Sequence, residues 1–264
     1  MRPVIPLVIL LTIPLVLGSY ISLSTTISSD HIYVNGSTIL VKTEQRGDEA
    51  AYRVESLPQH SDYFLFEGAV KKERLDPGET LSGSFMAYTK RVLTPGNYPF
   101  ILKTLYHDAN GYPFSVIAPH ILTFLKPCET SITAKMEELE VTREGSGQIS
   151  LKVKNTGEDR KIVNITLYLP NEIRGEERKS LLLEPGDEKE ETFTIESSGA
   201  LPGSSYAVWT SLEYETCCAH CTYLTSGYVK IVEGETDFRI LLALAFLFVA
   251  LLAIFIYFKF VRGV

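Results

Sequence analysis

Ile149-Ser150-Leu151-Lys152-Val153-Lys154-Asn155-Thr156-Gly157 is the stretch that decides the fold. Apolar residues stand at every second position with polar ones between them, and the run stops at a turn-forming Asn-Thr-Gly. That is the period of a strand with one face buried and the other wet. Val163, Ile165, Leu167 and Leu169 repeat the pattern against Asn164, Thr166 and Tyr168. Between the two strongly apolar ends of the chain no stretch sustains a helical period. Pro-Gly pairs and Asp108-Ala109-Asn110-Gly111 punctuate the strand-like runs as turns. The expectation is an all-β protein of antiparallel sandwiches rather than βαβ units.

Working outward, the same landmarks occur twice. Leu75-Asp76-Pro77-Gly78-Glu79-Thr80 is echoed 108 residues later by Leu183-Glu184-Pro185-Gly186-Asp187-Glu188. Pro95-Gly96-Asn97-Tyr98 is echoed by Pro202-Gly203-Ser204-Ser205-Tyr206, and Tyr106 by Tyr214. Roughly 100 residues is the length of one immunoglobulin-like sandwich. Two tandem immunoglobulin-like β-sandwiches are therefore expected, over 20–126 and 127–233. In the first copy, Ala51 to Leu57 is the expected counterpart of the Ile149 strand, and Asn-Thr-Gly has no visible partner.

The two ends read differently. Residues 1–19 carry one Arg, then an apolar stretch closing on Gly18-Ser19, the layout of a secretory signal segment. Ile240 to Phe258 holds no charge and no proline. As a helix it would be about 28 Å long, enough to cross a bilayer's hydrocarbon core. Lys259 and Arg262 follow it, whereas Glu233, Glu235, Asp237 and Arg239 precede it, which places the tail 259–264 in the cytoplasm. The segment 234–239 is then a short linker, and the bulk of the chain lies outside the cell membrane. Asn35-Gly36-Ser37 and Asn164-Ile165-Thr166 are glycosylation sequons that an exported chain would present. With 25 Lys and Arg against 32 Asp and Glu, no basic surface for nucleic acid is expected.

One place is chemically unusual. Of the four cysteines, Cys128 stands alone and the others crowd into Cys217-Cys218-Ala219-His220-Cys221. The repeat places this cluster at the tip of the last hairpin of the second copy and Cys128 at the opening of its first strand. Two disulfides stapling the junction are the leading reading, from an even count in an oxidising compartment. Cys128, Cys217, Cys218, His220 and Cys221 also form a soft-ligand set of the kind that holds zinc or Cu(I). Cys218-Ala219-His220-Cys221 is, in addition, a C-x-x-C, although such redox motifs open helices and none is expected here. Asp108 and Asn110 are explained by turn chemistry. No nucleophile elbow, phosphate loop or H-E-x-x-H occurs, so no enzyme and no cofactor is expected.

Ile149 to Gly157, Leu183 to Ile195 and Pro202 to Tyr206 together resemble the CARDB-like immunoglobulin-like modules of prokaryotic, especially archaeal, surface proteins. The resemblance covers about residues 127–233 and, more faintly, the first copy. It implies spacer, adhesion or scaffold elements. The expected function is a non-enzymatic single-pass cell-surface scaffold or accessory subunit, binding other envelope or membrane proteins. A metal-binding or thiol-redox protein built on the Cys217–Cys221 loop is one alternative. A carbohydrate-binding module using Tyr98, Tyr106 and Tyr112 is another.

Overall fold

The computed structural model describes residues 20–233 and, toward the C-terminus, 246–248, 250, 251 and 254, which are helical. The expected signal segment 1–19, the linker 234–239, the tail 259–264 and most of 240–258 lie outside the described residues. Among those described, no helix is long and apolar enough to cross a membrane. The chain divides into two compact units. The first runs to Glu129 and takes in Glu215–Thr222; the second is Thr130–Tyr214 with the chain from Tyr223.

In the first unit, one sheet has the order β1 (Leu23–Ser29), β2 (Ser37–Gln45), β6 (Thr80–Thr89), β4 (Phe64–Glu67). The other has the order β5 (Val70–Leu75), β3 (Ala51–Pro58), β7 (Gly96–His107), β8 (Pro113–Phe124). Alternation aims one face of each sheet inward. Along β2, Ile39, Val41, Thr43 and Gln45 are buried while Thr38, Leu40 and Lys42 are exposed. Ile39, Val41 and Phe85 from one sheet join Val54, Tyr98, Phe100, Leu102 and Leu122 from the other in a single core. Interdigitation of two inner faces is what defines a sandwich. β3 carries a bulge, with a register shift between Tyr52 and Glu55 and Arg53 at φ 49°.

The second unit repeats this plan. One sheet is β9 (Ile132–Met136), β11 (Ser146–Asn155), β15 (Glu188–Ser197), β13 (Ile173–Gly175). The other is β14 (Arg178–Leu183), β12 (Lys161–Tyr168), β16 (Ser205–Glu215), β17 (His220–Val232). A short strand, β10 (Leu139–Thr142), is added in parallel to β17. Ile149, Leu151, Val153, Phe193 and Ile195 are buried in the first of these sheets, and Val163, Ile165, Leu167, Val208 and Leu212 in the second. Each unit thus has the immunoglobulin-like pairing of a β1-β2-β6 type sheet with a β3-β7-β8 type sheet.

Strand-by-strand correspondence corrects the reading of the first copy. Ala51–Pro58 is β3 and matches β12 in pairing, so the counterpart of the Ile149 strand β11 is β2. The partner of Asn155-Thr156-Gly157 is Gln45-Arg46-Gly47. Both amide side chains are fully buried. The Gly47 N–H donates to Gln45 Oε1 at 2.9 Å and the Gly157 N–H to Asn155 Oδ1 at 3.0 Å. The backbone carbonyls of the same two residues accept from Gly78 (2.8 Å) and Gly186 (3.1 Å). These are the glycines of the repeated Pro-Gly turns, both at φ 77°, a left-handed conformation that favours glycine. A buried amide at a strand end therefore pins two turns in each unit, and Gln does in one what Asn does in the other.

Asn155 Nδ2 donates to the carbonyls of Asp159 (2.8 Å) and Glu184 (3.1 Å). Asn155→Ala leaves these acceptors and the Gly157 N–H unmatched, and is expected to cost about 2–4 kcal/mol. Urea unfolding of fragment 20–233 measures it; a loss within about 0.5 kcal/mol, as for an ordinary surface change, contradicts the pinning role.

Candidate functional site at the last hairpin tip

The β16–β17 hairpin closes through Thr216-Cys217-Cys218-Ala219. Thr216 organises this turn twice over. Its N–H and its hydroxyl both donate to the Ala219 carbonyl, at 2.8 and 3.0 Å. Its hydroxyl oxygen accepts from the N–H groups of Ala219 (3.0 Å) and Cys218 (3.4 Å). A short hydroxyl side chain that bonds its own turn is the reason Thr suits this position. Cys217 and Cys218 are exposed at the tip. Beyond the half-buried Ala219 the chain turns inward: His220 is 3% exposed and Cys221 is fully buried.

Cys221 is disulfide-bonded to Cys128, 93 residues earlier, with Cα atoms 5.3 Å apart. That separation is ordinary for a disulfide. Asn97 ties both partners in place. Its Nδ2 donates to the Cys128 carbonyl at 2.8 Å, and its own carbonyl accepts from the Thr222 hydroxyl at 2.7 Å.

His220 lies flat on Tyr98, with ring centroids 4.1 Å apart and planes within 3°. Tyr63 tilts against both rings, 5.1 Å from His220 and 4.7 Å from Tyr98, and the Arg91 guanidinium covers Tyr63 at 5.3 Å. Stacking acts here between the buried rings of Tyr98 and His220, and cation–π attraction between the exposed Arg91 and the half-buried Tyr63. His220 Nδ1 is 2.7 Å from Glu215 Oε1. The carboxylate fixes the orientation of the ring. Tyr98 is itself anchored, since its hydroxyl donates to the Thr94 carbonyl at 2.6 Å. In the second unit the Tyr206 hydroxyl accepts from the Leu201 N–H at 3.3 Å. The repeated Pro-Gly…Tyr is thus the tyrosine corner of an immunoglobulin-like sandwich, a structural device.

Backbone contact completes the seat. The His220 N–H donates to the Pro95 carbonyl at 3.0 Å, and His220 bridges to Gly96 in parallel register. Gly96 has φ 153°, and a Cβ built there would stand 2.0 Å from the His220 carbonyl oxygen. Gly96→Ala is expected to unseat the tip, at a cost of at least about 2 kcal/mol. Faster reduction of the Cys128–Cys221 bond by dithiothreitol would report this; an unchanged rate would mean that the close approach is not needed.

The five soft-ligand candidates are thus divided. Cys128 and Cys221 are joined, His220 is held by Glu215 and Tyr98, and Cys217 and Cys218 face outward. A disulfide sulfur is not a thiolate ligand. Among the described residues, no three His, Cys, Asp or Glu side chains gather to hold a metal ion. Cys218 and Cys221 of the C-x-x-C lie on a turn and a strand. Of the aromatic candidates, Tyr98 is 1% exposed and belongs to the core. Tyr106 stacks on Phe114 at 5.5 Å, and Tyr112 leans on Phe114 at 5.3 Å, all three half-buried. The two sequon asparagines are exposed, Asn35 in the β1–β2 turn and Asn164 on the outer face of β12. Asp108 Oδ1 accepts from the N–H groups of Asn110 (2.9 Å) and Tyr112 (2.7 Å), which is turn chemistry. Sequence reasoning missed Tyr63, Arg91, Asn97 and Glu215. Only Asn97 carried a signal, as part of the repeated Pro-Gly…Tyr.

No protein-family model matches the sequence, and no curated protein matches it. Some solved structures are similar to the chain. One is a protein of unknown function from Porphyromonas gingivalis, at 10% identity and a TM-score of 0.33, covering 79% of this chain and 99% of that one. The YadV chaperone matches at 12% identity and a TM-score of 0.33, covering 76% and 98%. The ASH/PapD-like domain of human CEP192 matches at 13% identity and a TM-score of 0.31, covering 42% and 92%. Strand order, tyrosine corners and core place this chain in the class of all-β proteins with an immunoglobulin-like fold.

Proposed function

We propose that this chain is an exported single-pass membrane protein whose two immunoglobulin-like units act, without enzymatic chemistry, as a scaffold or accessory subunit for other membrane or envelope proteins. The observation that carries this is the uncharged run Ile240–Phe258, which begins within ten residues of the second sandwich and is followed by Lys259 and Arg262. Its described residues are helical, and Phe246, Leu247, Phe248, Leu251 and Ile254 expose apolar side chains. Such a surface needs a partner other than water. The Cys128–Cys221 bond supports residence in an oxidising compartment. The buried amide of Asn155 and the corner Tyr206 are features on which the CARDB-like reading, and with it a prokaryotic surface role, rests.

Alkaline extraction of membranes from expressing cells tests the anchor, and protease added outside intact cells tests the orientation. The full chain stays in the pellet and its units are digested from outside if the proposal holds. Release into the supernatant, or protection of the units, sinks it. Cross-linking in intact membranes tests the scaffold role, and it fails if no reproducible partner is recovered. The exposure of Cys217 and Cys218 favours, as a second reading, a thiol-reactive surface protein.

A further inference from the structure

We infer that Asp48 receives this chain's own mature amino terminus. The leader is cut between Ser19 and Tyr20, and the α-ammonium released on Tyr20 pairs with the Asp48 carboxylate and locks the edge strand β1. The inference rests on the export proposed above; it adds the bond that is cut and the group that takes the new terminus. Gly18 and Ser19 are both small residues of the kind that precede a leader cut, so the sequence leaves two bonds open. The surroundings of Tyr20 favour the second.

The Tyr20 nitrogen lies 2.7 Å from Asp48 Oδ1. The Tyr20 carbonyl accepts from the N–H groups of Asp48 (3.0 Å) and Glu49 (3.3 Å). Two residues on, the Ser22 N–H donates to Gln45 Oε1 at 3.0 Å, and the Ser22 carbonyl accepts from the Arg46 N–H at 2.8 Å. The fit is close, because a Cβ built on Gly47 would stand 2.1 Å from the Tyr20 carbonyl oxygen. Ile21 and Leu23 are set against the core just beyond, and β1 starts its pairing at Leu23 opposite Gln45. β1 stands at the edge of its sheet, so an attachment ahead of it resists fraying of the whole strand.

Charge at Asp48 points to the same ligand. Arg46 is paired with Glu44, and among the described residues no Lys, Arg or His side chain pairs with Asp48. An amide N–H fills one acceptor position of a carboxylate and leaves its charge unmet, whereas an ammonium at the same place supplies both. The 2.7 Å separation is that of a charge-assisted bond. A cut after Gly18 would carry the ammonium one residue past Asp48 and leave the Tyr20 nitrogen an ordinary amide. The step itself is hydrolysis by a leader peptidase of the exporting cell. Water adds across the Ser19–Tyr20 peptide bond, the C–N bond breaks and a C–O bond forms. The water oxygen ends in the Ser19 carboxylate of the departing leader, and both water protons end on the Tyr20 nitrogen, an ammonium at neutral pH.

The experiment uses the full-length chain, expressed with its leader and recovered in membranes opened with mild detergent. Free amines are methylated with formaldehyde and cyanoborohydride over a time course, and the N-terminal peptide is read by mass spectrometry. Lys42 and Lys126, exposed and outside every ion pair, serve as the reference amines. The expected peptide begins at Tyr20. Relative to the reference lysines, its amine should label about threefold faster in Asp48→Asn than in the parent, the size of effect an exposed ion pair gives. Asparagine keeps an acceptor for an amide N–H and removes only the charge, so a merely structural hydrogen bond would not respond. Where that variant fails to accumulate, about 1 M sodium chloride should speed Tyr20 labelling in the parent by screening the pair. A chain that begins at Ser19 or elsewhere, a retained leader, or a Tyr20 amine that labels alike with and without the Asp48 charge overturns the proposal; so does a salt-insensitive rate. Alkaline extraction and outside protease on the same cells separate the two ideas. A chain that keeps its leader yet stays in the pellet and is digested from outside defeats the capture and leaves the anchor. A chain that begins at Tyr20, labels as expected and appears in the supernatant does the reverse.

Discussion

Replacing Cys128 and Cys221 together by Ser is expected to destabilise the first unit by about 4–5 kcal/mol, the loop-closure value for a bond that spans 93 residues. Most of the effect comes through the unfolded chain, which gains the freedom that the bond removed. The folded tip retains other attachments, namely Asn97, the Pro95 carbonyl and the ring stack on Tyr98. The variant should therefore keep its fold in dilute buffer and lose it at much lower urea. Cys217→Ser or Cys218→Ser, by contrast, should stay within about 0.5 kcal/mol because the side chains are exposed. Urea unfolding of fragment 20–233, followed by tyrosine fluorescence, gives both numbers. Equal stability of C128S/C221S and the parent would mean that the bond contributes nothing to the fold.

The second large effect is expected at Tyr98. The ring is 1% exposed and touches His220, Tyr63 and Phe64, and its hydroxyl holds the Thr94 carbonyl. Tyr98→Ala removes a large buried ring and should cost about 3–5 kcal/mol. Tyr98→Phe keeps the ring and loses only the hydrogen bond, at about 1 kcal/mol. The alanine variant should also loosen His220, and with it the seat of the tip, so that dithiothreitol reduces the Cys128–Cys221 bond faster. If the phenylalanine variant were as damaged as the alanine one, the corner hydrogen bond rather than the stack would be holding this end of β7. A Tyr98→Ala loss under about 1 kcal/mol would remove the ring from the core altogether.

Much of the architecture was legible before any coordinates. Alternation at Ile149–Val153 and Val163–Leu169 dictates strands, because a period of two places one set of side chains on one face whatever the partner. The 108-residue repeat dictates two copies, because Pro-Gly turns and corner tyrosines are local chemistry that the sequence states directly. Register in the first copy was not legible. Gln45-Arg46-Gly47 does not look like Asn155-Thr156-Gly157, yet the longer amide reaches the same backbone groups. Equivalence lay in where hydrogen bonds end, which composition does not display.

The cysteine cluster divides along the same line. The repeat put Cys217, Cys218 and Cys221 in one hairpin, where Cys221 lies on β17 rather than in the turn. It put Cys128 at the opening of the second copy's first strand, whereas Cys128 stands ahead of β9 and within the first unit. Which sulfur meets which was left to tertiary structure, because pairing depends on distances of a few ångströms between segments about 90 residues apart. The burial of His220 against Tyr98, with Glu215 at its nitrogen and Arg91 over Tyr63, is likewise a product of packing. Those residues come from three strands, β7, β16 and β17, and from the segments that hold Tyr63 and Arg91, with no shared pattern in the chain. Sequence by itself determined strands, repeat and tip; only the folded sandwich decided the bond, the seat of the imidazole and the exposure of the two remaining thiols. Local periodicity acts over neighbours, whereas contacts between distant segments follow from the closing of the core.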